Sequence, residues 1–159
     1  MDSNRLFRAS RIAGRALAAI ALLACALGSA AIAQGNAAPV GLWKTIDDKT
    51  GKPRSLVRIY EEGGLLFGRI ERGFDPAQQN RVCDKCTDER RGQPLLNMVI
   101  LRNLKAAGDG EYADGDILDP DNGSVYRCKI RLEDGGKKLV VRGFVGVAMF
   151  GRSQTWERE

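Results

Sequence analysis

Three groups of residues have the types and spacing that chemistry requires. Cys83-Asp-Lys-Cys86 sets two thiols three positions apart. Such a pair can close a small disulfide ring, act as a redox couple if one thiolate is stabilised, or supply two ligands to a soft metal. The metal reading needs Cys128 and a carboxylate such as Asp84 to complete four ligands. The redox reading needs the pair to follow a strand and open a helix, which the surrounding pattern does not offer. The expectation is a structural disulfide, with redox and metal roles as alternatives and Cys128 as a buried thiol. The second group, Asp116, Asp119, Asp121 and Asn122 around Gly123, suggests a calcium loop. It lacks the ligand spacing and distal glutamate of the helix-loop-helix calcium motif, so no metal is expected, and Pro120-Asp-Asn-Gly123 reads as a hairpin turn. The third group lies on the last extended stretch, where Arg152, Gln154, Trp156 and Arg158 alternate with Ser153, Thr155 and Glu157. If Trp156 points inward, the polar residues follow it and need partners. Trp43, Tyr126 and Trp156, with Arg152 or Arg142 as the cation, are the candidate lining of a pocket for a small polar, anionic or amphiphilic ligand. Arg142 and Trp156 can fall on opposite faces, in which case only part of this set shares one cavity. Each aromatic taken singly also suits core packing.

Histidine is absent from the 159 residues. That removes histidine bases and histidine metal ligands, and with them the common hydrolase triads and most catalytic zinc sites. No motif frames another catalytic pair, so neither an enzyme nor a cofactor is expected. Residues 1–33 read as a secretory signal peptide: Arg5, Arg8, Arg11 and Arg15, an apolar run over 16–27, then Ala31-Ile-Ala33 before Gln34. An alternative cleavage box, Leu22-Leu-Ala-Cys25, would leave a lipid anchor on Cys25. Removing the leader takes away four arginines and Asp2, leaving 21 basic and 19 acidic residues and a net charge of +2 instead of +5. The remaining chain carries no basic stripe that would suit nucleic acid. Export to the periplasm or cell envelope is expected, and an oxidising compartment favours the disulfide.

Residues 34–159 have the length of one domain. Short stretches of β-branched and aromatic residues recur between Gly, Pro, Asn and Asp clusters, predicting strands at 40–46, 54–60, 65–72, 95–104, 111–119, 124–132, 137–145 and 150–158. The run at 95–104 is also long enough for a short helix. Stretch 124–132 alternates most cleanly, with Tyr126, Cys128, Ile130 and Leu132 on one face and Arg127, Lys129 and Arg131 on the other. The last two strands form a hairpin joined by a short apolar link, 146–149. The long polar segment 73–94, which holds both paired cysteines, is the candidate lid. Eight strands with short turns imply an all-β fold, an antiparallel sandwich or an up-and-down barrel; a single antiparallel up-and-down barrel, in which closure between first and last strands would remove the exposed edges, is the expectation.

Gly41-Leu-Trp43 on the first strand, with arginines on the last, resembles the calycin pattern of lipocalins, avidins and fatty-acid-binding proteins. The resemblance implies that Trp43 closes the barrel's base with Arg158 or Arg152 across it; Arg158 stacked on Trp43 would make a base plug. Gly41-Leu-Trp-Lys-Thr-Ile-Asp-Asp-Lys-Thr-Gly51, Gly115-Asp-Ile-Leu-Asp-Pro-Asp-Asn-Gly123 with Tyr126, Leu139-Val-Val-Arg-Gly143 and Phe150-Gly-Arg-Ser-Gln-Thr-Trp156 resemble the bacterial family known as domain of unknown function 2147 (DUF2147). This resemblance spans 40–158 and implies a secreted envelope protein with a lipocalin-like barrel and no catalytic residues to carry over. The functional expectation is a non-catalytic barrel that binds a small ligand. A structural or protein-interaction module is the second reading, and a thiol redox or metal-binding protein the third.

Overall fold

The alternation read from the sequence becomes one continuous antiparallel meander in the computed structural model, which describes residues 38–76 and 79–159. The expected leader and Cys25 lie outside them. The strands are β1 (Gly41–Ile46), β2 (Pro53–Glu62), β3 (Leu65–Gly73), β4 (Val99–Gly108), β5 (Glu111–Asp119), β6 (Ser124–Glu133), β7 (Lys138–Phe144) and β8 (Gly151–Arg158). Each pairs with the next, and β8 returns to β1 with Trp43 opposite Arg158 and Lys44 opposite Glu157. The sheet is therefore a closed barrel, and closure removes the unpaired edge on which another chain could add.

Period two decides which side chains fill the lumen. Val57 and Ile59 on β2, Cys128 and Ile130 on β6, and Leu139 and Val141 on β7 are all buried. Register stacks them in layers: Ile130 opposes Val141, Leu139 opposes Trp156, and Trp43 opposes Val57. Up-and-down topology also sorts the connections. Turns 47–52, 120–123 and 145–150 and the long segment 74–98 share one end, the mouth; the short turns at 63–64, 109–110 and 134–137 share the other, the base.

The structure shifts the fourth predicted strand, expected at 95–104, to Val99–Gly108. Residues 95–98 do not extend β4 but form a turn in which Asn97 takes φ 67° and the Met98 amide donates to the Leu95 carbonyl at 3.1 Å. The turn limits the ladder with β3 to Val99 and beyond, and an apolar run reports burial, not backbone angle. The last hairpin also splits earlier than expected: β7 stops at Phe144 and β8 starts at Gly151, so 145–150 form a projecting turn.

The base is closed by one arginine. Arg158 lies over the Trp43 ring, 4.3 Å from its centroid, and donates from Nε to the Gly136 carbonyl at 2.6 Å, from Nη1 to Val40 at 3.1 Å and from Nη2 to Ala38 at 2.8 Å. Trp43 itself is fully buried, and its Nε1 donates to the Pro39 carbonyl at 2.7 Å. Gly41 makes room for this arrangement: its φ is 142°, and a Cβ there would sit 2.8 Å from Arg158 Nη1. The guanidinium thus joins the incoming chain, the β6–β7 turn and the tryptophan face, which three divergent donors on a planar cation can do and an ammonium cannot. Replacing Arg158 with Lys is expected to lower unfolding free energy by about 1–3 kcal/mol, as for loss of charge-assisted hydrogen bonds. Thermal or denaturant unfolding checks this; an unchanged midpoint contradicts the closing role.

Candidate functional site

The lumen is packed in its base half and open in its mouth half, where it holds a cavity of about 1200 Å³. Its deep wall is apolar, formed by Ile70, Ile100, Ile117, Leu118, Val141 and Trp156. Nearer the mouth, Phe74, Leu95 and Phe144 continue that lining. The rim is charged, with basic Lys52, Arg54 and Arg152 interleaved with acidic Asp47, Asp48 and Asp121.

β8 supplies the polar element of the cavity. Trp156 is buried, and its inward position sends Gln154 and Arg152 to the same side. Trp156 Nε1 donates to Gln154 Oε1 at 3.3 Å. Gln154 Nε2 donates to Asp48 Oδ2 at 3.0 Å, and Arg152 Nη2 donates to the same oxygen. A ladder of polar groups therefore climbs one wall from the floor to the rim, each rung hydrogen-bonded, as groups leaving water must be. On the opposite rim, Arg54 Nη2 donates to Asp121 Oδ2 at 2.5 Å and Arg81 Nη1 lies 2.8 Å from Asp121 Oδ1. Burial works against the Asp121 carboxylate, but the Arg54 and Arg81 hydrogen bonds outweigh it and hold its pKa below the usual range.

Of the five residues proposed from sequence to line a pocket, Tyr126, Arg152 and Trp156 share this cavity. The Tyr126 hydroxyl accepts a hydrogen bond from Asn122 Nδ2 at 3.0 Å. Trp43 does not join them: it is completely buried in the base plug with Arg158. Arg142 stands outside the barrel, because Val141 points inward and the strand period turns its neighbour outward. There Arg142 donates to the Ala148 and Met149 carbonyls at 2.7 and 3.1 Å and to Ser153 Oγ at 2.9 Å. Sequence reasoning turned Gln154 inward with Trp156 but passed over Asp48, Arg54 and Asp121 as ligand-facing groups. Only the turn position of Asp48 and Asp121, each beside a strand end, hinted at the rim.

The long segment 74–98 does two jobs. Its ends reach the cavity through Phe74, Gln79, Arg81, Leu95 and Leu96, while its middle is pinned to the barrel wall. Cys83 and Cys86 form a disulfide with Cα atoms 5.4 Å apart, and both are buried. Lys85 Nζ donates to the Asp121 carbonyl at 2.9 Å, and a Cβ on Gly123 would lie 1.9 Å from the Lys85 carbonyl oxygen. The loop thus sits directly on the β5–β6 turn, and only glycine fits that turn. Further on, Arg90 is buried; it chelates Asp88 through Nε and Nη2, the latter at 2.5 Å, and donates to the Val99 carbonyl at 3.1 Å. Hydrogen bonding from Arg90 outweighs desolvation and lowers the Asp88 pKa from 3.8 to about 2. Arg102 joins Glu89 at 2.7 Å and Asp116 at 3.1 Å, tying this corner to β4 and β5.

The remaining sequence candidates are structural. Asp119 Oδ1 accepts the Asp121 amide at 2.9 Å, and its Oδ2 accepts Asn122 Nδ2 at 3.1 Å, which builds the turn. Among the described residues, no three His, Cys, Asp or Glu side chains are grouped to hold a metal ion. Cys128 is buried beside Ile130, and burial, with a smaller contribution from Asp116, pushes its thiol pKa up to about 12. At neutral pH it is a protonated hydrophobe. Among the described residues, no helix is long and apolar enough to cross a membrane.

The family described as uncharacterized protein conserved in bacteria (DUF2147) matches residues 41–158, from the first strand to the last. The chain belongs to this family. Among solved structures, protein HP1028 from the human pathogen Helicobacter pylori, described as belonging to the lipocalin family, superposes with a TM-score of 0.67 at 19% sequence identity. The match covers 76% of this chain and 82% of that one. At this identity the likeness is one of fold, and it makes this DUF2147 protein a lipocalin-like barrel. No curated protein matches the chain.

Two predictions concern the loop. Asp88 has a folded pKa below its ordinary value, so its contribution is present above pH 3.8 and is lost as pH falls toward about 2. Amide protection factors in 86–92, corrected for the intrinsic pH dependence of exchange, should fall in that window in the wild type but not in Asp88→Asn; an equal fall in both contradicts the assignment. The disulfide should not be needed to keep the barrel folded: Cys83→Ala/Cys86→Ala is expected to cost roughly 2 kcal/mol by the loop-entropy relation, with Cys128 reacting with thiol reagents only in denaturant.

Proposed function

We propose that this DUF2147 protein is a non-catalytic binding protein of the bacterial cell envelope, exported by its leader, that holds one small amphiphilic ligand in the mouth of the barrel. The observation that carries the reading is the cavity itself: about 1200 Å³ of space in a barrel that eight strands could have filled with side chains. Ligand sites in proteins run to roughly 300–1,000 Å³, mostly apolar with a few placed polar groups. This cavity lies just above that range and shares the mostly apolar lining with a few polar groups. Its apolar depth suits a hydrocarbon or ring system resting on Trp156, and the Asp48, Gln154 and Arg152 ladder suits a polar or charged head group at the rim. Mixed charge around the mouth favours a head group that both donates and accepts.

The lipocalin-like fold and a family without a characterised activity agree with a binding role. The disulfide adds to this: both sulfurs are buried and joined, and the third thiol of the described chain is protonated. Among the described residues, therefore, no sulfur is poised as a nucleophile.

Native mass spectrometry of protein purified from a bacterial periplasm tests the proposal. The expected result is an added mass that denaturation removes, absent from Ile117→Trp, whose larger side chain occupies the cavity while the fold is retained. Protein that arrives empty and fails to bind amphiphilic fluorescent probes, or a filled-cavity variant that binds as wild type, overturns it.

A further inference from the structure

The projecting turn between β7 and β8 is unlike every other turn of the barrel. The turns 47–52, 63–64, 109–110 and 120–123 are built of polar residues, Gly and Pro, whereas this one reads Val145-Gly-Val-Ala-Met-Phe150. Its large side chains face water: Val145 is 68% exposed, Val147 61%, Met149 81% and Phe150 73%. Adjacent apolar groups in water are a cost that a hairpin link does not require, since polar residues close such turns as well.

The backbone of this turn is satisfied from within. Arg142 reaches up from β7 to the carbonyls of Ala148 and Met149, and Arg127 reaches from β6 to the carbonyl of Gly146 at 3.3 Å. The Phe150 amide donates to Val147 at 3.1 Å and the Val145 amide to Phe150 at 3.4 Å. Carbonyls capped in this way can leave water without an unpaid desolvation cost, and the arginines set a ring of positive charge below the apolar tip. From Leu139 to Trp156 the chain has two basic residues, Arg142 and Arg152, and no acidic one. The acidic groups near the tip come from other elements: Asp48 on Arg152, Asp114, whose Oδ1 is 4.0 Å from Arg127 Nη2, and Glu111, which lines a pocket with Arg142 and Ala148 and is paired with Lys129 at 3.2 Å. Arg127 and Arg152 nonetheless keep 62% and 64% of their side chains exposed.

Two further features direct the tip toward a lipid surface. Val145 and Phe150 belong both to the tip and to the cavity rim, so apolar surface runs without interruption from the projection into the lumen. Val125, 44% exposed, lies on β6 two residues before Arg127, which pairs with Phe144, and so widens the same patch.

We propose that the 145–150 turn is a membrane-docking tip, in which Val147, Met149 and Phe150 enter the acyl boundary of a phospholipid surface while Arg127, Arg142 and Arg152 meet its phosphates. Docked in this way, the barrel presents its mouth to the bilayer. This assignment stands on the tip and does not depend on what the cavity holds.

Co-sedimentation with vesicles of phosphatidylethanolamine and phosphatidylglycerol tests it, using the full folded protein. Wild type should bind and be released by high salt, and Val147→Ser/Met149→Ser/Phe150→Ser should bind about ten-fold or more weakly, as expected when apolar side chains are withdrawn from an interface. All three positions are exposed, so an unchanged melting curve verifies the variant's fold. Phe150→Trp should show a blue-shifted emission component on vesicle addition, against Trp43 and Trp156, which are buried already. Val40→Ser, an exposed apolar residue at the opposite end, should bind as wild type. Ile117→Trp should also bind vesicles normally, which separates this proposal from ligand binding in the cavity. Wild type that remains in the supernatant, or a triple variant that binds equally well, overturns the proposal. So does a tip-dependent dimer in sedimentation velocity without vesicle binding, which would make the tip a contact between copies.

Discussion

The structure depends on a constraint at the inner face of β8. This strand turns Arg158, Trp156 and Gln154 toward the inside of a closed eight-stranded barrel and brings Arg152, largely in water, to its mouth. Polar groups removed from water must be paired, and the way each is paired divides the molecule in two. Arg158 finds the Trp43 face and three backbone carbonyls, and in doing so closes the base. Gln154 and Arg152 find Asp48 at the mouth, and in doing so keep that end lined rather than packed.

From this division the rest follows by topology. Up-and-down winding places the four mouth connections around the cavity, and the base connections are short because nothing there needs covering. The longest mouth connection is anchored by a disulfide, by Lys85 on the β5–β6 turn and by the buried Arg90–Asp88 pair. It therefore acts as a fixed part of the rim wherever its side chains reach the cavity. The shortest apolar connection, 145–150, is held from below by Arg127 and Arg142 and projects from the same rim. The plugged base and the lined cavity occupy opposite ends of one barrel.

Much of the fold was legible in the sequence because period two is a direct imprint of the pleat. In 124–132 the alternation of Tyr126, Cys128 and Ile130 with Arg127, Lys129 and Arg131 gave both the strand and its inner face, and Asn122-Gly123 gave the turn before it. The site was less legible. Alternation relates residues within a strand but not between strands, so it could not say that Trp43 belongs to the base and Trp156 to the cavity floor. Arg142 and Arg152 carry the same charge on adjacent strands, yet their inward or outward sense follows from Val141 and Trp156 beside them. The limit of β4 escaped for another reason: Leu95 and Met98 are apolar because they pack under the loop, while Asn97 breaks the extended backbone. Asp88 and Arg90 fall within the long polar segment, and only folding shows that arginine to be buried. The volume left empty above Trp156 is a difference between the space enclosed and the space filled, which no linear pattern records.

The most direct test of the account is a crystal structure of the protein isolated from its native compartment without refolding. The account predicts elongated, non-protein electron density above Trp156, with its polar end within hydrogen-bonding reach of Arg152, Gln154 or Asp48 and its apolar end against Ile100, Ile117 and Val141. Side chains of the 74–98 segment folded into that space, or ordered water alone filling it, would contradict the account.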